Sequence, residues 1–313
     1  MKKDRLHNLE EVNCCVCGSN TTEIISVGKD FEYESVADDF SFHKCTMCDH
    51  HYLNPRPSPS SLNQIYPDNY GNYSNSQKFS FPFAVKSWME HLFIKKLFRI
   101  GNTPQSILDV GCGDGRLLKI VKSIASNKCT LEGIEISKQA SMEAEKKGFS
   151  ITTSSIETIN LQKGVYDYIF MIQVIEHLHK PYDSIIKLKE SLKKGGVLVI
   201  ETPDTDCIDY NIFSKRYWGG YHYPRHFNLF KKVNLQKLIK LAGLRVIHSS
   251  NKIQPVHWIW SLHHIIEEKI GRNIISKSLN IKNPIWITIF TIVDALQVFF
   301  LNKSSNQRII AQK

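Results

Sequence analysis

Two groups of residues in this chain can do chemistry by type and spacing. Cys14 and Cys17 form one C-x-x-C unit, and after a gap of 27 residues Cys45 and Cys48 form a second. Four thiolates at that spacing can close a tetrahedron around Zn²⁺. Cys15 falls outside the two-residue spacing. His43, His50 and His51 are not needed by a site that four sulfurs close, so the metal reads as structural. The second group lies in Ser106-Ile-Leu-Asp-Val-Gly-Cys-Gly-Asp-Gly-Arg-Leu-Leu118, where carboxylates surround a glycine turn. A dinucleotide turn follows G-x-G-x-x-G, but Arg116 stands where the third glycine belongs. Asp109 precedes the turn and Asp114 lies inside it. Acids there repel a pyrophosphate and suit a ligand that presents an ammonium and a sulfonium. S-adenosylmethionine is such a ligand, and methyl transfer is the leading expectation.

Both groups need elements to hold them. Alternation around Thr22–Val27 and Phe40–Phe42 predicts short strands between the cysteine pairs, hence a small zinc ribbon over residues 1–57. Asn54-Pro-Arg-Pro-Ser-Pro59 ends it. Residues 58–103 read as a linker with a short helical piece at Ser60–Tyr66, a Tyr-rich loop and a lead-in helix over Phe83–Ile100 that Gly101 stops. Tyr66, Tyr70 and Tyr73 are candidates for a pocket lid. From 104 to 250, strands alternate with helices, the pattern of a Rossmann-like doubly wound α/β sheet. Predicted strands are Ser106–Val110, Thr130–Glu135, Ser150–Thr153, Tyr166–Ile172, Val197–Glu201 and Leu244–Ser249. Helices are expected over Gly115–Ala125, from Ser137 to Lys147, from Pro181 to before Gly195, and around Leu235–Ala242. Residues 306–313 supply a seventh strand, Gln307–Gln312, antiparallel at the end. Residues 251–305 break the alternation and read as a C-terminal helical insertion. Its Pro284–Leu301 stretch is apolar over about one membrane thickness, but Asp294 would be costly inside a bilayer. A buried packing helix is the first expectation, an interfacial helix flanked by Lys277, Lys282, Lys303 and Arg308 the second, and a spanning helix the last.

With 313 residues, 42% of them hydrophobic, the chain can bury a sizeable core. Its net charge of +10 points to anionic partners or to a basic soluble enzyme. The first residues, Met-Lys-Lys-Asp-Arg, show no secretory pattern. Paired cysteines suit a reducing compartment, so the cytoplasm is the expected location.

The successive stretches Leu108–Gly115, Gly133–Ile136, Asp167–Leu178 and Leu192–Gly196 resemble the motifs of class I S-adenosylmethionine-dependent methyltransferases. Four motifs in order over about 104–249 make that resemblance specific. The four-cysteine start, the Pro-Arg-Pro linker and Tyr223-Pro-Arg-His-Phe-Asn-Leu-Phe230 are similar, more weakly, to bacterial methyltransferases of sugar and cell-surface polysaccharide biosynthesis. The resemblance implies a methyltransferase sheet of seven strands with the last antiparallel. It also implies a cofactor site at Asp109, Gly111, Gly113, Glu135, Ile136, Ser155, Ile156 and Gln173. Asp109 serves the ammonium, Glu135 the ribose hydroxyls, Ile136 and Ser155-Ile156 the adenine. A hydroxyl or acidic-carbon acceptor also needs a base. His226, His177 and His222 are the candidates, histidine's pKa near 6.5 suiting the task. Tyr223 and Tyr221 are expected to orient the acceptor, Trp218 to wall the pocket, and Arg225 to hold an acceptor phosphate or a carboxylate partner. The expected acceptor is a small molecule, a phosphorylated or nucleotide-linked sugar. An RNA acceptor is disfavoured because the lysines are spread along the chain, and a non-catalytic scaffold at a membrane surface because the glycine turn and Glu135 are intact.

Overall fold

The computed structural model describes residues 5–66, 81–100 and 104–313. The lid positions Tyr70 and Tyr73 and the helix stop at Gly101 lie outside the described residues. The N-terminal part contains β1 (Leu9–Glu10), β2 (Thr22–Lys29), β3 (Asp39–Cys45), β4 (His51–Leu53) and β5 (Arg56–Pro57), followed by α1 (Leu62–Ile65) and α2 (Phe81–Ile100). The central part runs β6 (Ser106–Val110), α3 (Arg116–Lys122), β7 (Thr130–Glu135), α4 (Lys138–Lys146), β8 (Ser150–Thr153), β9 (Tyr166–Ile172), α5 (Pro181–Ser191) and β10 (Leu192–Pro203). After it come α6 (Ile208–Phe213), β11 (Asn228–Leu229), α7 (Lys232–Leu241), β12 (Arg245–Asn251), α8 (Val256–Ile270), α9 (Ile274–Ser278), α10 (Pro284–Leu301) and β13 (Asn306–Gln312).

The seven-stranded sheet has the order β12-β13-β10-β9-β6-β7-β8, with β13 antiparallel to both neighbours. Every residue of β6 is buried and so are most of β9 and β10, as parallel strands covered on both faces require. From β6 the chain moves outward to β7 and β8, then crosses back to β9 on the other side. That reversal puts the topological switch point, the usual ligand crevice of open α/β sheets, between the carboxyl ends of β6 and β9. Ser137 caps α4 as its sequence position predicts, its hydroxyl accepting the Ala140 N–H at 3.3 Å. Two boundaries differ from expectation. Helix α3 stops at Lys122 because Ser123 bonds back to the Ile120 carbonyl through its hydroxyl at 2.7 Å. Strand β10 begins at Leu192 and carries an irregularity before Val197. The closing strand is antiparallel as expected, but it lies inside the sheet rather than on its edge.

Strands β2, β3 and β4 form an antiparallel sheet whose fourth strand is β11, from beyond the central sheet. Asn228 and Leu229 pair with Tyr52 and His51. Cys14, Val16, Cys45 and Tyr52 share one apolar cluster with Leu108, Ile169 and Phe230, so ribbon and central sheet pack as one body.

Helix α10 departs from the first expectation for it. Only 17% of it is buried. Asp294, Gln297 and Phe290 face the protein with Ile287 and Val293 packed beside them, while Ile285, Ile289, Ile292 and Leu296 face outward. A packing helix would have the reverse arrangement.

Candidate functional site

The turn after β6 is shaped by its backbone. Gly111 sits at φ +71°, and a Cβ there would meet Val174 Cγ2 at 2.4 Å. Gly113 sits at φ +54° with open space where its Cβ would project. Only glycine adopts these angles without strain. Glu135, at the end of β7, braces the turn: its Oε2 accepts the Gly113 N–H and its Oε1 the Ser137 N–H, each at 2.8 Å. A carboxylate has about four lone-pair sites, so two bonds leave capacity for ligand hydroxyls. Burial raises the Glu135 pKa against the pull of those amides.

A cavity opens beside this turn, lined by Asp109, Gly111, Gly113, Asp114, Glu90, Arg116, Glu201 and Arg308 among others. Arg116 pairs with Glu90, Arg308 with Glu201, and Asp114 with Lys147 at 2.8 Å. Asp109 is buried, and burial pushes its carboxyl up to about 8 despite the nearby Arg116. With Asp109 holding its proton, the three remaining carboxylates, Glu90, Asp114 and Glu201, are each paired with a cation, so the lining is polar and close to charge balance. Sequence reasoning missed Glu90, Glu201 and Arg308. Glu201 at the end of a strand is a visible signal, whereas Glu90 sits on a lead-in helix with no local cue.

The other expected cofactor residues lie around the crevice. Gln173 follows β9 at φ +56° and donates to Asn306 Oδ1 at 3.0 Å. Ile136 is 55% exposed beside Glu135. Ser155 closes a turn by accepting the Glu157 N–H at 3.2 Å, and Ile156 is buried in the sheet core.

The three candidate histidines come together. Ring centroids of His177 and His226 lie 4.7 Å apart, His222 and His226 5.0 Å, His177 and His222 6.3 Å. His177 comes from the short turn Ile175–His177 after β9, the others from the stretch between α6 and β11. Val174, which lies on Gly111, ties this turn to the cofactor loop three residues before His177. His226 Nδ1 bonds the Gly220 carbonyl at 2.8 Å, and His177 Nδ1 the Arg225 carbonyl at 3.0 Å and the Tyr66 hydroxyl at 3.1 Å. Carbonyls only accept, so each Nδ1 carries the proton and each Nε2 presents a lone pair. Burial pushes His177 down to about 3 and His226 well below its ordinary range, which keeps both neutral. Glu176 beside them is pushed up to about 8 by burial, while the Thr202 hydroxyl donates to its Oε2 at 2.9 Å.

His222 differs from its two neighbours. Its Nδ1 meets Glu32 Oε1 at 2.7 Å, a carboxylate-oriented imidazole of the kind that serves general bases. Its backbone is held at φ +42°, a strained setting for a side-chain-bearing residue and a common mark of functional sites. Glu32 follows β2 in the N-terminal part. Burial raises its pKa, but His222 outweighs this and the net direction is down.

Four residues expected on the acceptor side are held by packing and hydrogen bonds within the protein. Arg225 is fully buried and donates to both oxygens of Asp30, at 3.0 and 2.8 Å, with its guanidinium 4.4 Å from the Tyr33 ring centre. Its partner is therefore a carboxylate, and an acceptor phosphate is not needed to satisfy it. Tyr223 donates to Ser26 at 2.8 Å, and its ring occupies the space a Cβ on Gly28 would need. Its ring contacts Phe42 and Tyr221 rather than the three histidines. Trp218 and Tyr221 are buried in the same aromatic cluster, Trp218 donating to Asp209 at 2.8 Å.

The four cysteines fit a zinc ion. Their Sγ atoms all lie within 4.8 Å of one another, with Cys14–Cys48 and Cys17–Cys45 at 3.5 Å. A Zn–S length near 2.3 Å implies tetrahedral S···S separations of about 3.8 Å. Each knuckle closes with a backbone bond, Gly18 to Cys14 at 2.8 Å and Asp49 to Cys45 at 2.9 Å. Cys15 Sγ turns away, toward His50 at 3.3 Å.

Known proteins bear on this geometry. The methyltransferase-domain family matches residues 85–249. A ubiquinone biosynthesis O-methyltransferase of Roseobacter denitrificans is 24% identical over 168 residues, 50% of this chain and 66% of that protein. A malonyl-[acyl-carrier protein] O-methyltransferase of Halalkalibacterium halodurans is 33% identical over 113 residues, covering 33% of this chain and 41% of that protein. The chain thus spans less than two thirds of either relative. Among solved structures, a putative sarcosine dimethylglycine methyltransferase of Galdieria sulphuraria superposes with a TM-score of 0.53 at 14% identity, over 76% of this chain and 92% of that one. At that identity the likeness speaks for the fold.

Proposed function

This chain belongs to the methyltransferase-domain family, and from that premise we propose that it transfers a methyl group from S-adenosylmethionine to a small-molecule acceptor. One observation carries the reading. The Glu135-braced glycine turn and the His177–His222–His226 cluster adjoin beyond the carboxyl ends of β6 and β9, joined where Val174 lies on Gly111. When bound, the cofactor supplies a methyl carbon on a sulfonium, open to in-line displacement. Glu135 would hold its ribose end, and the Asp109 carboxyl beside the turn its ammonium end. Alignment of donor and acceptor can contribute on the order of 7–11 kcal/mol. For a hydroxyl or acidic-carbon acceptor, His222 is the base: Glu32 fixes its Nδ1 proton, so Nε2 receives the acceptor's proton while Glu32 stabilises the imidazolium. His177 and His226, neutral and fixed by carbonyls, shape the polar wall around it.

The narrower acceptor class, a nucleotide-linked sugar or glycan precursor, is supported by the order of a four-cysteine ribbon, the core and the Tyr223–Phe230 stretch. Structural zinc in the ribbon belongs to the same proposal. The test is a screen of nucleotide sugars and glycan intermediates with purified protein and labelled cofactor, read by product mass. A gain of 14 mass units (about one CH₂, the net change in methyl transfer) on a sugar nucleotide supports it. Absence of S-adenosylmethionine binding by calorimetry to folded protein sinks the whole reading, whereas binding with transfer only to RNA sinks the acceptor class.

A further inference from the structure

We propose that the outward face of α10 is a docking surface for an anionic lipid bilayer. Ile285, Ile289, Ile292, Leu296 and Phe299 recur at steps of three and four, so they form one stripe along the helix. They are 65%, 41%, 55%, 50% and 81% exposed. Phe300 beside them is 71% exposed, and Ile274 on the neighbouring α9 is 86% exposed. A continuous apolar stripe of this length marks an interaction surface rather than ordinary solvent-facing structure.

The opposite face fixes how the helix lies. Asp294 Oδ2 accepts the Gln254 N–H at 2.6 Å and the Ser304 hydroxyl at 3.0 Å, and Gln297 Oε1 accepts the Ile208 N–H at 2.6 Å. These buried bonds hold α10 along the protein body, so it cannot leave to cross a membrane and instead lies parallel to the surface it meets. Charge selects the occupant. Between Asn273 and Val293 the chain has no Asp or Glu, while Lys277 and Lys282 are exposed at the amino end of the helix. A second copy docked face to face would bring the same Lys277 and Lys282 to this surface, whereas an anionic headgroup layer brings the opposite sign. The inference rests on this surface alone and does not depend on the reaction proposed above.

The experiment is flotation of the full chain with vesicles of phosphatidylcholine alone and of phosphatidylcholine with equimolar phosphatidylglycerol. The expected result is co-flotation with the mixed vesicles and at least a several-fold weaker association with neutral ones. Ile292→Asp/Phe299→Asp should reduce binding to mixed vesicles at least about tenfold, and Lys277→Glu/Lys282→Glu should remove the preference for anionic lipid. Circular dichroism melts matching the parent show that the variants fold, as expected for exposed positions. The proposal is overturned if the parent chain ignores both vesicles, if it binds both equally, or if the aspartate variant floats like the parent. It is also overturned if sedimentation finds a dimer that the aspartate variant dissolves while vesicles capture nothing.

Discussion

The donor side and the acceptor side of the candidate site are built in opposite ways. Asp109, Gly111, Gly113 and Glu135 come from two adjacent strands and the turn between sheet and helix, all within 27 residues of chain. The histidine cluster draws on three distant segments: the β2 loop for Glu32, the turn after β9 for His177, and the stretch before β11 for His222 and His226. A local site can be held by one strand–turn–helix unit, whereas an assembled one depends on how separate sheets pack. Damage to the ribbon should therefore reach the acceptor side and spare the donor side.

Gly113→Val breaks the local half. A β-branched residue at φ +54° is strained and fills the open space beside the turn. Calorimetry should find cofactor binding lost, with four cysteines still holding metal and the melt little changed. His222→Ala breaks the assembled half: turnover with the true acceptor should fall about 10²–10⁴-fold while cofactor affinity holds. Unchanged turnover would move the base role to His226 or His177. Cys45→Ser is the sharpest test of the difference between the halves. Loss of one sulfur should release metal and loosen the sheet that carries Asp30 and Glu32. Methyl transfer should then drop about tenfold or more, as for a displaced positioning group, with cofactor binding retained. Equal loss of both would show the two halves to be one unit.

A smaller effect concerns pH. Glu176 is raised to about 8 in the folded chain, so the native state keeps a proton that the unfolded chain loses near pH 4. Its contribution to stability is full below that unfolded value and is lost as pH rises through 8, at up to about 1.4 kcal/mol per pH unit. Glu176→Gln should flatten that slope in melts taken between pH 5 and 8. His177, lowered to about 3, acts with the opposite sign, losing stability as pH falls below its unfolded value near 6.5.

The same contrast decides what the sequence disclosed. Strands β6 and β9 were readable because buried parallel strands are mostly apolar runs, and β7 and β8 from the glycine and cap signals around them. Glu135 was readable because it ends β7. Glu32 was not, since nothing local says that a carboxylate after a ribbon strand will meet a histidine 190 residues away. Arg225 left two partners open for the same reason: the carboxylate it meets, Asp30, lies 195 residues distant. In α10 the two-faced pattern was present in the residues, but periodicity does not say which face turns inward. Hydrogen bonds from Gln254, Ser304 and Ile208 decide it in favour of the polar one.

The pairing of β11 with β4 has a consequence for biogenesis. Three strands of the cysteine-bearing sheet precede the central sheet in the chain, yet its last strand, Asn228–Leu229, begins 178 residues after His50. A ribosome releasing the chain from its amino end exposes four thiols and an open strand edge long before that edge is covered. Early metal capture by the two knuckles would hold β2 to β4 in register through that interval, and the late strand would then lock the ribbon onto a methyltransferase core already formed.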